Sequence, residues 1–454
     1  MKLSAREKYS YGVGALGKDL IYAIVSTYLM VYFTDVVGLA PLFIGTLFLV
    51  ARIWDAVNDP AMGMIVDNTR SKWGKFRPWI LIGTIINAIV TVFLFTKPDL
   101  SGTALYVYYS VVYILWGMTY TIMDIPYWSM IPSLSKDKAE REKISVIPRI
   151  FASSAWFLMG TVGFTLPKYL GNGDEVVGYS VFAKIVAVIF CLTSIITVLN
   201  TKERASTAKT APTEKVNLKQ TFKIIKQNDQ LTVFIGIVLA YNLLTQLVGG
   251  MAIYYFKYVL EIENFYMVFN GFASMAEITG LVLFPILAQR IGRKNVFKIG
   301  AGLPGVGLIM LLIAGFVMPG NAMFVAVSGF LFKLGSGFAL GTTTVMLADV
   351  VDYGEFKLGT RNESIIFSCQ TLLVKSASAI SGWLIGVGLT VIGYQANVAQ
   401  SDATILGMRI IMIIIPSVLG LLSFFIYKRY YKLNGDYHDE VLSELENRNK
   451  LATA

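Results

Sequence analysis

The chain has 454 residues, of which 55% are hydrophobic and 15% charged, and its mean hydropathy is +0.61. Since soluble domains carry about 25% charged residues, a set of soluble domains is excluded. The only histidine, His438, lies in a polar C-terminal stretch, and Cys191 and Cys369 lie in separate apolar runs. This argues against a histidine-based metal site, a Ser-His hydrolase and a disulfide scaffold. The net charge of +10 is interpreted as a sign of membrane topology rather than of nucleic-acid binding.

Apolar segments recur along the chain, and their lengths approach or exceed the roughly 20 residues that a bilayer-spanning helix needs. The first six lie at about 10–34, 42–66, 79–95, 104–130, 146–164 and 181–199. The next six lie at about 231–259, 266–289, 296–318, 322–347, 365–394 and 405–427. The sequence therefore predicts an all-α polytopic membrane protein with twelve transmembrane helices. The predicted organisation is an N-terminal six-helix bundle at 1–200, a linker at 201–230, a C-terminal six-helix bundle at 231–427 and a tail at 428–454.

The charges of the loops predict how the chain is oriented in the membrane. The loops 67–78 and 132–145 contain four basic residues each, and the linker 201–230 contains seven. Alternate loops without any basic residue are 35–41, 260–265, 319–321 and 395–404. Because basic loops remain in the cytoplasm, the linker and both termini are expected on the cytoplasmic side of a bacterial inner membrane.

Two cytoplasmic loops, six helices apart, share a pattern of glycine and basic residues. The first runs from Gly63 through Asp67 to Arg77, and the second, at 287–294, reads Leu-Ala-Gln-Arg-Ile-Gly-Arg-Lys. Glycine turns with basic residues suit any inner loop, but their equivalent positions favour an internal repeat. The pattern resembles the signature loop of the major facilitator superfamily, whose two halves rock about a central site.

Several ionisable residues lie well inside the apolar segments. They are Lys18, Asp19, Arg52, Asp55, Asp59, Asp124, Arg149, Glu277, Lys333 and Lys375. Each costs about 2.5–3.5 kcal/mol at the middle of a spanning helix, so exposure to lipid is not expected. Buried ion pairs that only lock helices together are the alternative to a functional role. Glu277 and Lys333 lie at similar depth, about twelve residues from the outer ends of their helices, and we expect them to form an ion pair.

A cluster of oxygen-bearing side chains lies in the second segment. Asp55, Asn58 and Asp59 occupy positions i, i+3 and i+4 and share one face of the helix. Three such side chains suit a small, hard cation such as sodium. Two carboxylates this close are also able to share one proton, so proton coupling stays open.

Aromatic rings and a carboxylate share one face of the fourth segment. Tyr120, Asp124 and Trp128 fall at i, i+4 and i+8, and Thr121 adjoins them. An aromatic ring packs on the apolar face of a pyranose, while a carboxylate accepts hydrogen bonds from sugar hydroxyls. Further polar groups in the same half are Asp19 as an acceptor and Lys18 and Arg149 as donors. The pattern favours a sugar-binding site over ordinary aromatic packing.

Four motifs carry a resemblance to a known family. They read Gly17-Lys18-Asp19, Ala51-Arg52-Ile53-Trp54-Asp55-Ala56-Val57-Asn58-Asp59-Pro60, Tyr120-Thr121-Ile122-Met123-Asp124-Ile125-Pro126 and Asp349-Val350-Val351-Asp352-Tyr353-Gly354-Glu355. In these motifs the chain resembles the glycoside–pentoside–hexuronide:cation symporters of the major facilitator superfamily, and the resemblance covers nearly the whole chain.

The resemblance implies a secondary active symporter that uses alternating access. It would couple inward movement of sodium, lithium or protons to uptake of a glycoside such as melibiose or a related galactoside. The implied sugar-binding residues are Lys18, Asp19, Tyr120, Asp124, Trp128, Arg149, Gln370 and Thr371. The implied sodium-binding residues are Asp55, Asn58, Asp59 and Thr121. The expected partners are the sugar, a monovalent cation and the lipid bilayer, with a cytoplasmic regulatory protein left open and no cofactor beyond the coupling ion.

A further group of charges is expected to couple the two sites or to close the carrier on its cytoplasmic side. This group comprises Arg52, Lys375, Arg141, Asp349, Asp352, Glu355, Arg361 and Glu363. Its cytoplasmic members are also consistent with ordinary solvated loop charges.

Other functions remain as alternatives to uptake of a galactoside. A symporter for another glycoside, pentoside or hexuronide, or a proton-coupled exporter of the same superfamily, would have the same architecture. A membrane-embedded enzyme would need a nucleophile–base or metal constellation, which the sequence does not show. A passive channel would arrange its charges in rings rather than clusters. A nutrient sensor would usually need an additional soluble domain.

Overall fold

The computed structural model describes residues 3–135, 138–203, 225–318, 320–359 and 363–453. Every regular element in these ranges is a helix. The chain divides into two compact units, one containing the helices before the linker and the other those after it.

The first unit contains six long helices, named α1 to α6. They are α1 (Ala5–Val37), α2 (Pro41–Asn68), α3 (Arg77–Leu94), α4 (Gly102–Ser129), α5 (Lys138–Val162) and α6 (Glu175–Asn200). The last turn of α1, Tyr32–Val37, is a π-helix. Two short helices, Ile131–Leu134 and Leu166–Leu170, precede α5 and α6.

In the described residues from 229 onwards, the second unit has seven helices, named α7 to α13. They are α7 (Asp229–Val259), α8 (Phe265–Ile291), α9 (Arg293–Val317), α10 (Ala322–Leu358), α11 (Glu363–Val391), α12 (Asp402–Tyr430) and α13 (Asp436–Thr453). Both α7 and α12 contain a π-helical turn, at Tyr255–Val259 and Ile410–Ile414.

The helices agree with the segments that the sequence predicts. In the described part of the chain, ten helices are long and apolar enough to cross a membrane. The other two predicted segments correspond to α4, which is rich in tyrosine, and to α5. The apolar part of α5 is Val146–Val162. The prediction of an all-α polytopic membrane protein is confirmed.

The main differences lie at the C-terminal ends of α10 and of the chain. The tenth segment was expected to end near residue 347, but α10 continues to Leu358 and carries Asp349, Asp352 and Glu355 in its last turns. It ends at Gly359, whose φ of +69° is readily adopted by glycine. The expected tail forms α13, which packs on the end of α10, so the polar sequence there is a docked helix.

Glycines allow the helices to approach one another closely where the candidate residues lie. A Cβ atom on Gly17 of α1 would lie 1.9 Å from Thr193 Oγ1 of α6. In the second unit, a Cβ atom on Gly337 of α10 would lie 2.5 Å from the carbonyl oxygen of Glu277 on α8. Small residues at such crossings let membrane helices pack backbone against backbone. Lys18 follows the first of these contacts, and Glu277 lies at the second.

The loop between α2 and α3 is held by a carboxylate from the segment after α6. Glu203 accepts hydrogen bonds from the backbone amides of Lys75 at 2.7 Å, Phe76 at 3.0 Å and Arg77 at 3.2 Å. The Nε atom of Arg77 donates to the carbonyl oxygen of Val198 on α6 at 2.8 Å. An anion at the start of α3 satisfies free amide groups and interacts favourably with the helix dipole.

Candidate functional site

A buried lysine lies between two carboxylates in the first unit. The Nζ atom of Lys18 on α1 is 2.8 Å from Asp124 Oδ1 on α4 and 3.3 Å from Asp19 Oδ2. It also donates a hydrogen bond to the hydroxyl oxygen of Tyr120 at 3.2 Å. Lys18 is 4% exposed, whereas the side chain of Asp124 is 30% exposed. When both carboxylates are ionised, the cluster carries a net charge of −1, and part of Asp124 is accessible.

Aromatic rings surround the same ammonium group. Its nitrogen lies 5.1 Å from the centroid of the Trp128 ring and 5.7 Å from that of Tyr120. Both distances are suitable for cation–π attraction. The structure thus brings together Lys18, Asp19, Tyr120, Asp124 and Trp128, five of the eight residues predicted to bind sugar.

Three further aromatic residues, which the sequence did not predict as part of the site, lie beside the same cluster. Together with Tyr120 and Trp128 they form what we call the aromatic wall. The indole nitrogen of Trp156 on α5 donates to Asp19 Oδ1 at 3.3 Å. The ring of Tyr22 is 5.2 Å from that of Tyr120, which stacks on Trp116 at 5.5 Å. Tyr22 lies four residues after Lys18, so its helical spacing was a usable signal. The position of Trp156 depends on how α5 packs against α1, which spacing within one helix does not reveal.

Three predicted sugar-binding residues remain to be placed. Arg149 on α5 is exposed, and in the described residues no hydrogen bond joins its guanidinium to Asp19 or Asp124. Gln370 and Thr371 lie on α11 of the second unit, half-buried and exposed respectively, and their predicted roles stay predictions.

The predicted cation ligands converge between α2 and α4. Thr121 Oγ1 donates to Asp59 Oδ1 at 3.0 Å and to the carbonyl oxygen of Gly117 at 3.1 Å. A Cβ atom on Gly117 would lie 3.3 Å from Asp55 Oδ1, so the second carboxylate faces the same place. Within the described residues, the buried Nδ2 atom of Asn58 has no hydrogen-bond partner. The oxygen atoms of Asp59, Thr121 and Asp55 fit a small monovalent cation, whereas the NH2 group of Asn58 is a donor that a cation would not satisfy.

An arginine connects these two clusters. Arg52 Nη1 lies 2.8 Å from Asp55 Oδ2, and Nη2 donates to the hydroxyl oxygen of Tyr22 at 3.3 Å. Tyr22 in turn packs against Tyr120, which bonds to Lys18. A contiguous chain of charged and aromatic side chains therefore runs from the predicted cation ligands to the predicted sugar ligands.

Asp349, one of the charges predicted to close the carrier on its cytoplasmic side, forms several contacts within the second unit. Asp349 is 6% exposed, and its Oδ2 atom is 3.1 Å from Arg293 Nη1 on α9. Its Oδ1 atom is 3.2 Å from His438 Nε2 on α13, and Tyr431 donates to Oδ2 at 3.3 Å. Burial and the adjacent negative charge of Asp349 raise the pKa of Tyr431 well above its ordinary value, so the phenol stays a donor. The alternative of a solvated loop charge is wrong for Asp349.

The other predicted network members are less fully defined. Asp352 and Glu355 are half-buried on α10, and Lys375 is exposed on α11. Arg361 and the side chains of Arg141 and Glu363 lie outside the described residues. Their predicted roles in coupling or closure stay predictions.

The expected ion pair in the second unit is confirmed. Lys333 Nζ on α10 lies 3.2 Å from Glu277 Oε1 and 3.1 Å from Oε2 on α8. The lysine and glutamate side chains are 28% and 32% exposed, so the pair is only partly enclosed.

Comparison with known proteins identifies relatives over almost the whole chain. The family model described as MFS/sugar transport protein matches residues 10–435. The isoprimeverose transporter of Lactiplantibacillus pentosus is 33% identical over 445 residues, covering 97% of this chain and 91% of the relative. The inner membrane symporter YicJ of Escherichia coli strain K12 is 32% identical over 450 residues, covering 98% and 95%. A lactose permease of Lactobacillus delbrueckii subsp. bulgaricus is 31% identical over 468 residues, covering 98% of this chain and 73% of the relative.

Solved structures share the fold at low sequence identity. The nucleoside transporter NupG aligns with a TM-score of 0.64 and 15% identity, covering 94% of this chain and 99% of that chain. A bacterial homologue of the human lysosomal transporter Spinster aligns with a TM-score of 0.65 and 14% identity, covering 95% and 99%. Since the family model and the relatives both span nearly the whole chain, this protein belongs to the MFS/sugar transport protein family and is a membrane transporter, not an enzyme.

Proposed function

We propose that this transporter couples inward sodium movement to the uptake of a neutral glycoside, with melibiose or a related galactoside as the first candidate. The observation that carries the proposal is the position of Lys18 between Asp19 and Asp124, beside the rings of Tyr120 and Trp128. We further propose that both termini are cytoplasmic and that the bacterial inner membrane is its location. The basic loops support this orientation.

The chemistry of the Lys18 cluster suits a sugar. Carboxylate oxygens accept hydrogen bonds from hydroxyl groups, the ammonium donates to them, and the Trp128 ring offers an apolar face for a pyranose. The partial exposure of Asp124 leaves that carboxylate accessible. The excess negative charge favours a neutral glycoside over a uronate or a sulfonate, because an anionic substrate would meet two carboxylates and one ammonium.

The charges around the predicted cation ligands suit a monovalent ion. Arg52, Asp55 and Asp59 carry a net charge of −1 when all three are ionised, and one sodium, lithium or hydrogen ion neutralises it. A bound cation would compete with Arg52 for Asp55, and Arg52 reaches the aromatic wall through Tyr22. Coupling is then reciprocal, so the sugar should tighten cation binding by the same factor that the cation tightens sugar binding.

The test is uptake of labelled melibiose into right-side-out membrane vesicles at fixed pH, with and without a sodium gradient. The critical variant is Asp59→Asn, and the matched control is Asp99→Asn, an exposed aspartate in the loop before α4. We expect sodium to stimulate wild-type and control uptake. Asp59→Asn should lose this stimulation while equilibrium sugar binding stays measurable.

Each other outcome changes a stated part of the proposal. Uptake that follows a pH gradient and ignores sodium would replace the ion and keep the symporter. Uptake of another glycoside without melibiose would replace the substrate. Substrate accumulation outside the cell, driven by inward protons, would contradict uptake in favour of an exporter.

A further inference from the structure

The Glu277–Lys333 ion pair lies inside two membrane-spanning helices and yet is incompletely buried. Glu277 is the thirteenth residue of α8, and Lys333 the twelfth of α10. Their side chains are 32% and 28% exposed. A charge at such depth is strongly disfavoured in lipid. The exposed part of the pair must therefore meet either water or other polar groups.

The rest of α8 indicates which side of the helix faces lipid. The large exposed apolar residues Met275, Val282 and Ile286 are 59%, 65% and 48% exposed. At about 100° per residue, these three lie roughly 140–180° around α8 from Glu277. Asn270 lies on the same side as Glu277, within about 20°. The pair therefore points away from these three residues, on a side of α8 that also carries the 39% exposed Leu281, about 40° from Glu277.

A purely structural role does not account for the pair. The crossing of α8 and α10 is already fixed by backbone contact, because Cβ atoms on Gly280 and Gly337 would meet backbone atoms at 2.7 Å and 2.5 Å. The ion pair is not enclosed at that crossing. Instead, Lys333 shares its side of α10 with the exposed Leu340 and Thr344, at positions i+7 and i+11.

The pair retains unused hydrogen-bonding capacity. An ammonium has three donors, and a carboxylate accepts up to about four hydrogen bonds, while the contact joins one nitrogen to two oxygens. Neighbouring hydroxyl groups of a sugar match this surface, since one accepts from Lys333 and the next donates to Glu277. An anionic group would have to separate the pair or approach a carboxylate a few ångströms away.

We propose that Glu277 and Lys333 form a substrate-binding pair on the water-accessible side of the second unit. They bind vicinal hydroxyl groups of a neutral sugar and discriminate against sugars that carry a carboxylate or sulfonate. This assignment rests on the proposed function for its ligand, but not for the accessibility of the pair to water.

The first experiment measures that accessibility, in a background carrying Cys191→Ser and Cys369→Ser. Glu277→Cys is combined with Lys333→Gln so that no unpaired charge remains, and Met275→Cys is the control two residues away on α8. We expect a membrane-impermeant methanethiosulfonate to label the thiol at position 277 at least tenfold faster than that at 275. Equally slow labelling at both positions would overturn the proposal, whatever the substrate is.

The second experiment tests the ligand with labelled neutral and acidic glycosides. Glu277→Lys combined with Lys333→Glu keeps an ion pair but exchanges donor and acceptor, and we expect normal thermal unfolding with at least tenfold weaker uptake of the neutral sugar. Glu277→Gln leaves Lys333 without its counter-ion, and should raise uptake of a uronate or sulfonate relative to the neutral sugar at least tenfold. Unchanged uptake and selectivity in the exchanged variant would show that the pair has only a structural role and does not bind the substrate.

The two proposals fail in different ways. If the wild-type chain takes up no neutral glycoside, the proposed function fails and the ligand assigned to this pair fails with it. The labelling contrast between positions 277 and 275 is independent of that result. If sugar uptake is present and the labelling contrast is absent, only the inference about Glu277 and Lys333 is wrong.

Discussion

The guanidinium of Arg52 on α2 donates to the hydroxyl oxygen of Tyr22 on α1 at 3.3 Å while also contacting Asp55 at 2.8 Å. Tyr22 packs against Tyr120, which accepts a hydrogen bond from Lys18. These contacts join Arg52 to the residues around Lys18, and in the proposed coupling a change in the partner of Arg52 would reach Lys18 through them.

Removing the hydroxyl of Tyr22 should weaken coupling without removing the aromatic wall. In Tyr22→Phe, we expect the sodium concentration for half-maximal sugar uptake to change by about tenfold, since a hydrogen bond to a charged group contributes about 1.5–3 kcal/mol. The measurement is sugar uptake against sodium concentration in vesicles. Tyr108→Phe is the control, because in the described structure the Tyr108 hydroxyl donates to the carbonyl oxygen of Phe93 and not to a charged group. An identical sodium dependence in both variants would show that the hydroxyl of Tyr22 has no role in coupling sodium to sugar.

Replacing the buried ammonium should damage both stability and transport. Lys18→Met leaves Asp19 and Asp124 without their shared counter-ion, and breaking a buried pair in this way destabilises a protein by about 3–5 kcal/mol. The partial exposure of Asp124 places the expected loss at the lower end of that range. Thermal unfolding in detergent measures the effect. Adding Asp124→Asn to Lys18→Met should recover part of the stability but none of the sugar binding.

The crossing of α8 and α10 should tolerate no side chain at its closest point. Gly337→Ala places a methyl group 2.5 Å from the carbonyl oxygen of Glu277, and the resulting strain should lower the free energy of unfolding by about 1–3 kcal/mol. Gly302→Ala on α9 is the matched control, since no atom lies within 4 Å of its added Cβ. Equal thermal stability of the two variants would contradict the packing described here.

Docking of α13 should depend on its contact with Asp349. Asp349→Asn removes the carboxylate that contacts His438 and forms the ion pair with Arg293, and we expect faster amide hydrogen exchange throughout 437–448. Glu446→Gln, an exposed change on α13, should leave exchange unaltered. If exchange in α13 is the same in both variants, the apolar contacts of residues such as Val441 are sufficient to hold the helix.

The features that depend on one helix were within reach of the sequence. Period and composition located the spans, and positions i, i+3 and i+4 placed Asp55, Asn58 and Asp59 together. Equal depth from the outer helix ends sufficed to predict the Glu277–Lys333 pair, because helices of similar length in one bundle align their middles.

The features that depend on how one helix is rotated against its neighbour were not within reach of the sequence. The contact of Trp156 with Asp19 requires the rotation of α5 against α1, which no local pattern encodes. Arg149 was expected beside the same carboxylate because of its type and depth, and the rotation of α5 presents Trp156 there instead. The docking of α13 was missed because few of its residues are apolar, and its anchoring contacts involve single residues such as His438 and Val441.

The hydrogen bond from Thr121 to Asp59 has a consequence for turnover. In the proposed cation site, an ion that displaces the hydroxyl from Asp59 would cost that hydrogen bond, about 1 kcal/mol, which is about a fivefold weaker cation affinity. The hydroxyl would then donate to the carbonyl oxygen of Gly117 alone and keep its lone pairs for the ion. A carrier that binds its ion with very high affinity releases it slowly, and slow release limits the turnover rate. The hydrogen bond between Thr121 and Asp59 would satisfy both side chains after the ion leaves. It would thereby stabilise the empty carrier, which must return across the membrane in the proposed transport cycle.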